Sequence, residues 1–100
     1  MMYMEKLYDE MEQSNVRFVG FTTKEGRYDF GIVYTSQFFG KPLVVCMQTG
    51  QSSLLDSSDV KDLDFLQKKF RLPDKMVAMD LADFLNEVVP PAELMEASYE

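Results

Sequence analysis

The first hydrophobic pattern of the chain lies near its amino terminus and has the period of a helix. Four large apolar residues recur at spacings i, i+3, i+4 and i+7, with acidic residues between them: Met4, Leu7, Tyr8 and Met11. Such spacing is the apolar stripe of a short amphipathic helix. Ser14 and Asn15 interrupt the pattern, so the sequence predicts an N-terminal helix over residues 2–13.

Further along, the period changes to two, which is the period of a β-strand. Two runs rich in β-branched and aromatic residues, at 16–23 and 28–35, flank a turn that contains Gly26, and together they predict a hairpin. Residues 42–48 predict a third strand, and a short fourth strand over residues 51–55 is left open. Consecutive antiparallel pairing is the simplest connection, although the pattern does not fix the strand order.

Helical spacing returns in the last third of the chain. Ser57 or Ser58 is predicted to cap a helix that stops at Pro73, and Asp74 is predicted to cap a second helix that ends at residues 90–91. The acidic run over these capping positions lacks the spacing of a calcium loop, and we interpret it as the solvated first turn of a helix.

These elements define the expected fold class as α+β. The order is an N-terminal helix, an antiparallel meander of three or four strands and two C-terminal helices. A length of 100 residues fits one domain, which we place at residues 1–91, followed by an acidic flexible tail over residues 92–100.

Both faces of the predicted sheet carry apolar residues. An antiparallel sheet with one face in water normally alternates apolar and polar positions, so here both faces need cover. Either three helices cover both faces, or one face docks a second copy or another protein. The candidate interface residues come from one strand face and from the loop at residues 36–41: Val19, Phe21, Phe38 and Phe39.

Composition excludes several kinds of chemistry. The chain has no histidine and one cysteine, which rules out a Ser-His-Asp triad, an imidazole metal ligand, an internal disulfide and a Cys₄ zinc site. Cys46 lies between a valine and a methionine in a predicted strand, as a buried apolar residue would. We therefore expect no catalytic residue, no metal and no cofactor, and we favour a protein that is not an enzyme.

Charge and hydropathy restrict the partners and the location. A net charge of −7 disfavours DNA and anionic membrane surfaces. The longest apolar run is residues 43–47, whereas a membrane span needs about 20 residues. No signal peptide is recognised and cysteine is scarce, so we expect a cytoplasmic protein that contacts itself, as a homodimer, or another protein.

Two further functions stay open. A small-molecule or anion-binding module, or a weak enzyme, would use basic and polar residues of two loops: Lys24, Arg27, Tyr28, Asp29 and Lys41. A stacking platform for single-stranded nucleic acid would use the strand aromatics together with nearby basic residues. The acidic flanks of the chain disfavour the second of these.

Three blocks of the central region resemble one family. They are RFVGFTT at 17–23, RYDFGIVYT at 27–35 and FFGKPLVVCMQTG at 38–50. Together they resemble a family of small uncharacterised cytosolic proteins of Gram-positive bacteria, over residues 7–89. The resemblance implies a cytoplasmic domain of unknown function with no assigned activity, cofactor or catalytic residue, so it assigns no role to any residue.

Overall fold

The computed structural model of the protein describes residues 3–24 and 26–90. Its strands are β1 (Asn15–Thr23), β2 (Gly26–Tyr34), β3 (Leu43–Cys46) and β4 (Ser52–Leu54), and its helices are α1 (Leu63–Lys69) and α2 (Lys75–Val88). The strands form one antiparallel sheet in the order β1-β2-β3-β4. The α+β class, the four-stranded meander and the two C-terminal helices are thereby confirmed. The predicted tail over residues 92–100 lies outside the described residues.

The predicted hairpin of β1 and β2 is confirmed. Thr23 pairs with Gly26 across the turn, and pairing continues through nine residues to Asn15 and Tyr34. Gly26 has φ +145°, a conformation that side-chain-bearing residues rarely adopt. This turn fixes the register, and the register decides which residues of β1 and β2 share a face.

The predicted N-terminal helix is wrong, because residues 3–14 have no regular secondary structure. The Glu12 carboxylate accepts hydrogen bonds of 2.6 Å from the Ser36 N–H and the Thr35 hydroxyl. Glu10 accepts another, of 2.7 Å, from the Gln37 side-chain amide. A helix of about 12 residues is marginal in water unless its apolar stripe packs on something. We call residues 3–14 the N-terminal arm.

The first C-terminal helix is shorter than predicted and begins at a different cap. Neither predicted serine caps it; a 3₁₀ turn at Asp59–Lys61 comes first, and Asp62 caps α1 by accepting a 3.1 Å hydrogen bond from the Phe65 N–H. The second predicted cap is confirmed, since Asp74 accepts a 3.0 Å hydrogen bond from the Val77 N–H.

Asp56 takes the place of the predicted serine cap. Its Oδ1 accepts hydrogen bonds from the Asp59 N–H (2.9 Å) and from the Ser58 N–H (2.9 Å). In return, Asp59 Oδ2 accepts a 3.0 Å hydrogen bond from the Asp56 N–H. This reciprocal pair works like a capping box and fixes the turn that carries the chain from the sheet to the helices.

Both helices pack on the same face of the sheet, which we call the covered face. A line of edge-to-face aromatic rings runs through it: Phe84 to Phe21 at 6.0 Å, Phe21 to Phe30 at 6.1 Å and Phe30 to Phe70 at 5.8 Å between centroids. Such contacts stabilise by about 0.5–1.5 kcal/mol each beyond the area they bury. The hydroxyl of Tyr34 donates a 3.1 Å hydrogen bond to the Val88 carbonyl and so joins β2 to the end of α2.

Candidate functional site

The opposite side of the sheet, which we call the open face, carries two rows of residues across the four strands. The strand register places Val16, Val33, Leu43 and Leu54 in one row, and Phe18, Gly31, Val45 and Ser52 in the other. None of these eight residues is charged. In the described part of the chain, the buried core cluster takes no residue from either row. The open face is therefore apolar without belonging to the core.

Gly31 shapes the centre of the open face. A Cβ atom at this position would lie 3.3 Å from Cε1 of Phe18 and 3.1 Å from the Cε methyl of Met47. The Phe18 ring and the Met47 side chain therefore both lie directly over the Gly31 backbone. Phe18 is still 73% exposed and Met47 50% exposed, so two large apolar side chains lie on the surface here.

A polar cluster closes the hairpin end of the open face. Nε of Arg27 lies 2.9 Å from Oδ2 and 3.1 Å from Oδ1 of Asp29. The Gln48 side chain donates to Asp29 Oδ2 and accepts from the Asp29 N–H, both at 2.7 Å. Hydrogen bonds from Arg27 and, next, from Gln48 lower the pKa of Asp29. Asp29 is thus an ion-paired carboxylate that extends the pairing of β2 with β3 past Met47.

The structure separates the predicted interface residues into two groups. Val19 and Phe21 pair with Phe30 and Tyr28, and they lie half-buried against the core on the covered face. Phe38 and Phe39 lie at the other end of the sheet from the β1–β2 turn and are exposed. The apolar surface accessible on the sheet is therefore the open face around Phe18.

Phe38 and Phe39 occupy an unusual turn. Their φ angles are +52° and +62°, so two bulky residues in succession are left-handed. This conformation costs roughly 1–2 kcal/mol per residue, and such strain is typically found at functional sites. Phe39 is 78% exposed despite that strain.

The predicted ligand residues do not come together at one place. Tyr28 is half-buried on the covered face, while Arg27 and Asp29 form the ion pair on the open face. Lys41 lies at the far end of the sheet, with its Nζ 3.6 Å from Asp56 Oδ2.

Of these five residues, Lys24 lines a cleft between the end of β1 and the start of α2. The cleft measures about 320 Å³, and its charged lining consists of Lys24, Asp74 and Asp80. Because two carboxylates and one ammonium group line the cleft, its charge does not favour the binding of an anion. The Asp74 side chain is also engaged as the cap of α2.

Within residues 3–24 and 26–90, no group of three cysteine, aspartate or glutamate residues lies close enough to hold a metal ion. No helix among these residues is both long and apolar enough to cross a membrane.

Sequence reasoning missed two exposed apolar features among the described residues, Phe18 and the N-terminal arm. The sequence does contain a signal for the exposure of Phe18. A turn of either two or four residues pairs Val19 and Phe21 with residues on the strongly apolar side of β2. That pairing leaves Phe18 on the other face. For the arm, the apolar stripe itself was the signal, but it was interpreted as a helix.

Fold and surface together define the class: an α+β protein whose antiparallel meander has helices on one face and an exposed apolar surface on the other. The chain belongs to the SAV0927-like family, whose model matches residues 7–87. None of the curated proteins compared with the chain matches it. The family description names no activity, which agrees with the resemblance to an uncharacterised domain, and the matched range includes the C-terminal part of the arm.

Proposed function

We propose that the protein acts through protein–protein contacts in the cytoplasm and forms a homodimer, with the open face as the contact surface. The observation that carries this proposal is the pair of uncharged rows across the sheet, on which Phe18 is 73% exposed. Contiguous apolar surface of this kind is rare on monomers and marks sites of association.

Charge on the open face permits contact between identical chains. Two copies that each carry −7 repel one another overall. However, the two rows hold no charge, and the charged groups at the hairpin end of this face, Arg27 and Asp29, neutralise each other. Apolar contact through this face therefore brings no like charges into direct opposition.

The strained turn at Phe38 and Phe39 supports a contact role as well. The chain keeps two large exposed aromatic side chains in a left-handed conformation, where glycine or asparagine would be unstrained. Strain of this size is typically found at functional sites, which supports a contact role for the two rings.

The alternatives find less support. Arg17 pairs with Ile32 and therefore projects on the side of the covered face, so the rows around Phe18 lack the cations of a nucleic-acid platform. A ligand site built from Lys24, Arg27 and Lys41 would need residues from both ends of the sheet.

The test is the solution mass by light scattering from about 1 µM to about 1 mM. We expect about twice 11.6 kDa for the unmodified chain and the monomer mass for Phe18→Asp. Met76→Asp is the matched control, because Met76 is equally exposed but lies on α2, and we expect it to stay a dimer. A monomer at every concentration contradicts the proposal, as does a Phe18→Asp variant that remains a dimer.

A further inference from the structure

We infer that the N-terminal arm of each protomer covers the open face of the second copy. This inference rests on the proposed homodimer and identifies the segment that makes the contact. The arm carries five large apolar side chains, all exposed: Tyr3, Met4, Leu7, Tyr8 and Met11. Met11 is 99% exposed, and even Tyr8, the least exposed of the five, is 60% exposed, so most of this surface stays accessible within its own chain.

The hydrogen bonds of the arm direct it away from its own open face. Glu12 is held by Thr35 and Ser36, and Glu10 by Gln37. These partners follow Tyr34, the last residue of β2, so the arm continues alongside the chain that leaves the sheet. Its apolar residues are thus presented beyond the end of their own sheet, where a second copy can receive them.

The dimensions of the arm and of the open face agree. In a helix, the stripe from Met4 to Met11 is about 11 Å long. Strands in a sheet lie about 4.8 Å apart, so this stripe spans two to three strands. The apolar spacing of the arm does not stabilise a helix in the isolated chain. On the open face of the partner, the same side chains have an apolar surface to pack against. Glu5 and Asp9 of the arm then face water on the side of the helix away from the stripe.

The buried area meets the requirement of a stable dimer. A fully buried large apolar side chain removes about 100 Å² from water, so five of them remove about 500 Å² from the arm. An equal area of the receiving face and a second, symmetric contact bring the total to about 2,000 Å², above the roughly 1,200 Å² at which stable interfaces begin.

Symmetry also favours reciprocal exchange. Each chain contributes one arm and one open face, so a two-fold axis satisfies both surfaces of both protomers and leaves none for further association. One-way docking would leave an arm and a face exposed and would continue into a filament.

Three variants separate this inference from the proposed dimer by light scattering. We expect Leu7→Asp with Met11→Asp to be monomeric, as expected for Phe18→Asp, while Met76→Asp stays dimeric. An arm variant that stays dimeric, beside a monomeric Phe18→Asp, overturns the inference and leaves the proposed dimer intact. An unmodified chain that is monomeric throughout overturns both.

A second experiment locates the arm. A nitroxide is attached to Met11→Cys in unlabelled protein, which is then mixed with ¹⁵N-labelled unmodified chain; Cys46 is fully buried and is therefore protected from the reagent. We expect broadening of the Val33 and Val45 amide signals of the labelled copy. If these signals broaden only when the nitroxide and the ¹⁵N label are on the same chain, the arm folds back on its own sheet and the inference is wrong.

Discussion

The two faces of the sheet carry similar side chains but differ in how far those side chains are buried. On the covered face, Phe30, Ile32 and Val44 are completely buried beneath two helices. On the open face, their neighbours Val33 and Val45 are only half-buried, and Phe18 is exposed. All of these residues are typical of strands, so strand-forming preference does not distinguish the two faces.

The difference teaches that burial depends on what the rest of the chain supplies. The last third of the chain supplies two helices to the covered face, which are joined to it by rings from Phe70 and Phe84. Residues 3–14 supply an amphipathic segment that runs alongside residues 35–37, past the end of β2. An apolar face without cover is the kind of surface that is often found at sites of association.

The largest expected effect comes from truncating one aromatic residue on each face. Phe30→Ala should lower the free energy of unfolding by about 3–5 kcal/mol, because it leaves a cavity in the core. Phe18→Ala should lower it by less than about 1 kcal/mol in urea unfolding at low protein concentration, where association contributes least. Equal losses for the two variants would mean that the open face is buried within a single chain.

The next largest effect on stability is expected at the turn that leads from the sheet to the two helices on the covered face. Asp56→Ala removes a cap that serves both the Ser58 and the Asp59 N–H groups, and we expect a loss of about 1–2 kcal/mol in urea unfolding. Asp64→Ala is the control, since its ion pair with Lys75 is exposed and should contribute less than about 0.5 kcal/mol. A loss no greater than that of the control would show that the turn does not depend on Asp56.

A smaller effect on stability is expected at the C-terminal end of α2, which packs on the covered face. Tyr34→Phe removes the hydroxyl that donates to the Val88 carbonyl, and the free energy of unfolding should fall by about 1 kcal/mol. Tyr8→Phe serves as the control, because Tyr8 is exposed in the arm and its substitution should leave unfolding unchanged. No difference between the two variants would mean that α2 is held by apolar contact alone.

The smallest effect is a dependence on pH. Hydrogen bonds from the Asp59 backbone and the Ser58 side chain lower the pKa of Asp56 from 3.8 to about 2. The stabilisation is therefore fully present above about pH 4 and is lost as the pH falls toward 2. Unfolding followed across this range should show a steeper decline for the unmodified chain than for Asp56→Ala. Parallel curves for the two proteins would contradict the assignment.

Much of the fold was predictable because its signals are local. The alternation along β1 and β2, the Gly26 turn and the Asp74 cap each act within a few residues, and the structure confirms them. The Asp56 cap was missed because an aspartate and a serine serve equally well as caps, and sequence alone does not rank neighbouring candidates.

The N-terminal helix and the choice of sheet face required information from distant parts of the chain. The apolar spacing from Met4 to Met11 favours an amphipathic helix, but a helix this short needs a surface to pack on. Likewise, alternation in β1 separates Phe18 from Phe21 without saying which of them meets α2. The pairing of Phe21 with Tyr28 settles this, since Tyr28 shares its face with the buried Phe30.

The strands lie side by side in the order in which they occur along the chain. At about 5–20 residues per second, the ribosome needs roughly 2–7 s for the 34 residues from Leu54 to Val88. Until α2 is complete, Phe21 lacks its contact with Phe84, and part of the covered face is exposed in addition to the open face. The speed of translation from Leu54 to Val88 therefore affects how long each new chain is vulnerable to aggregation.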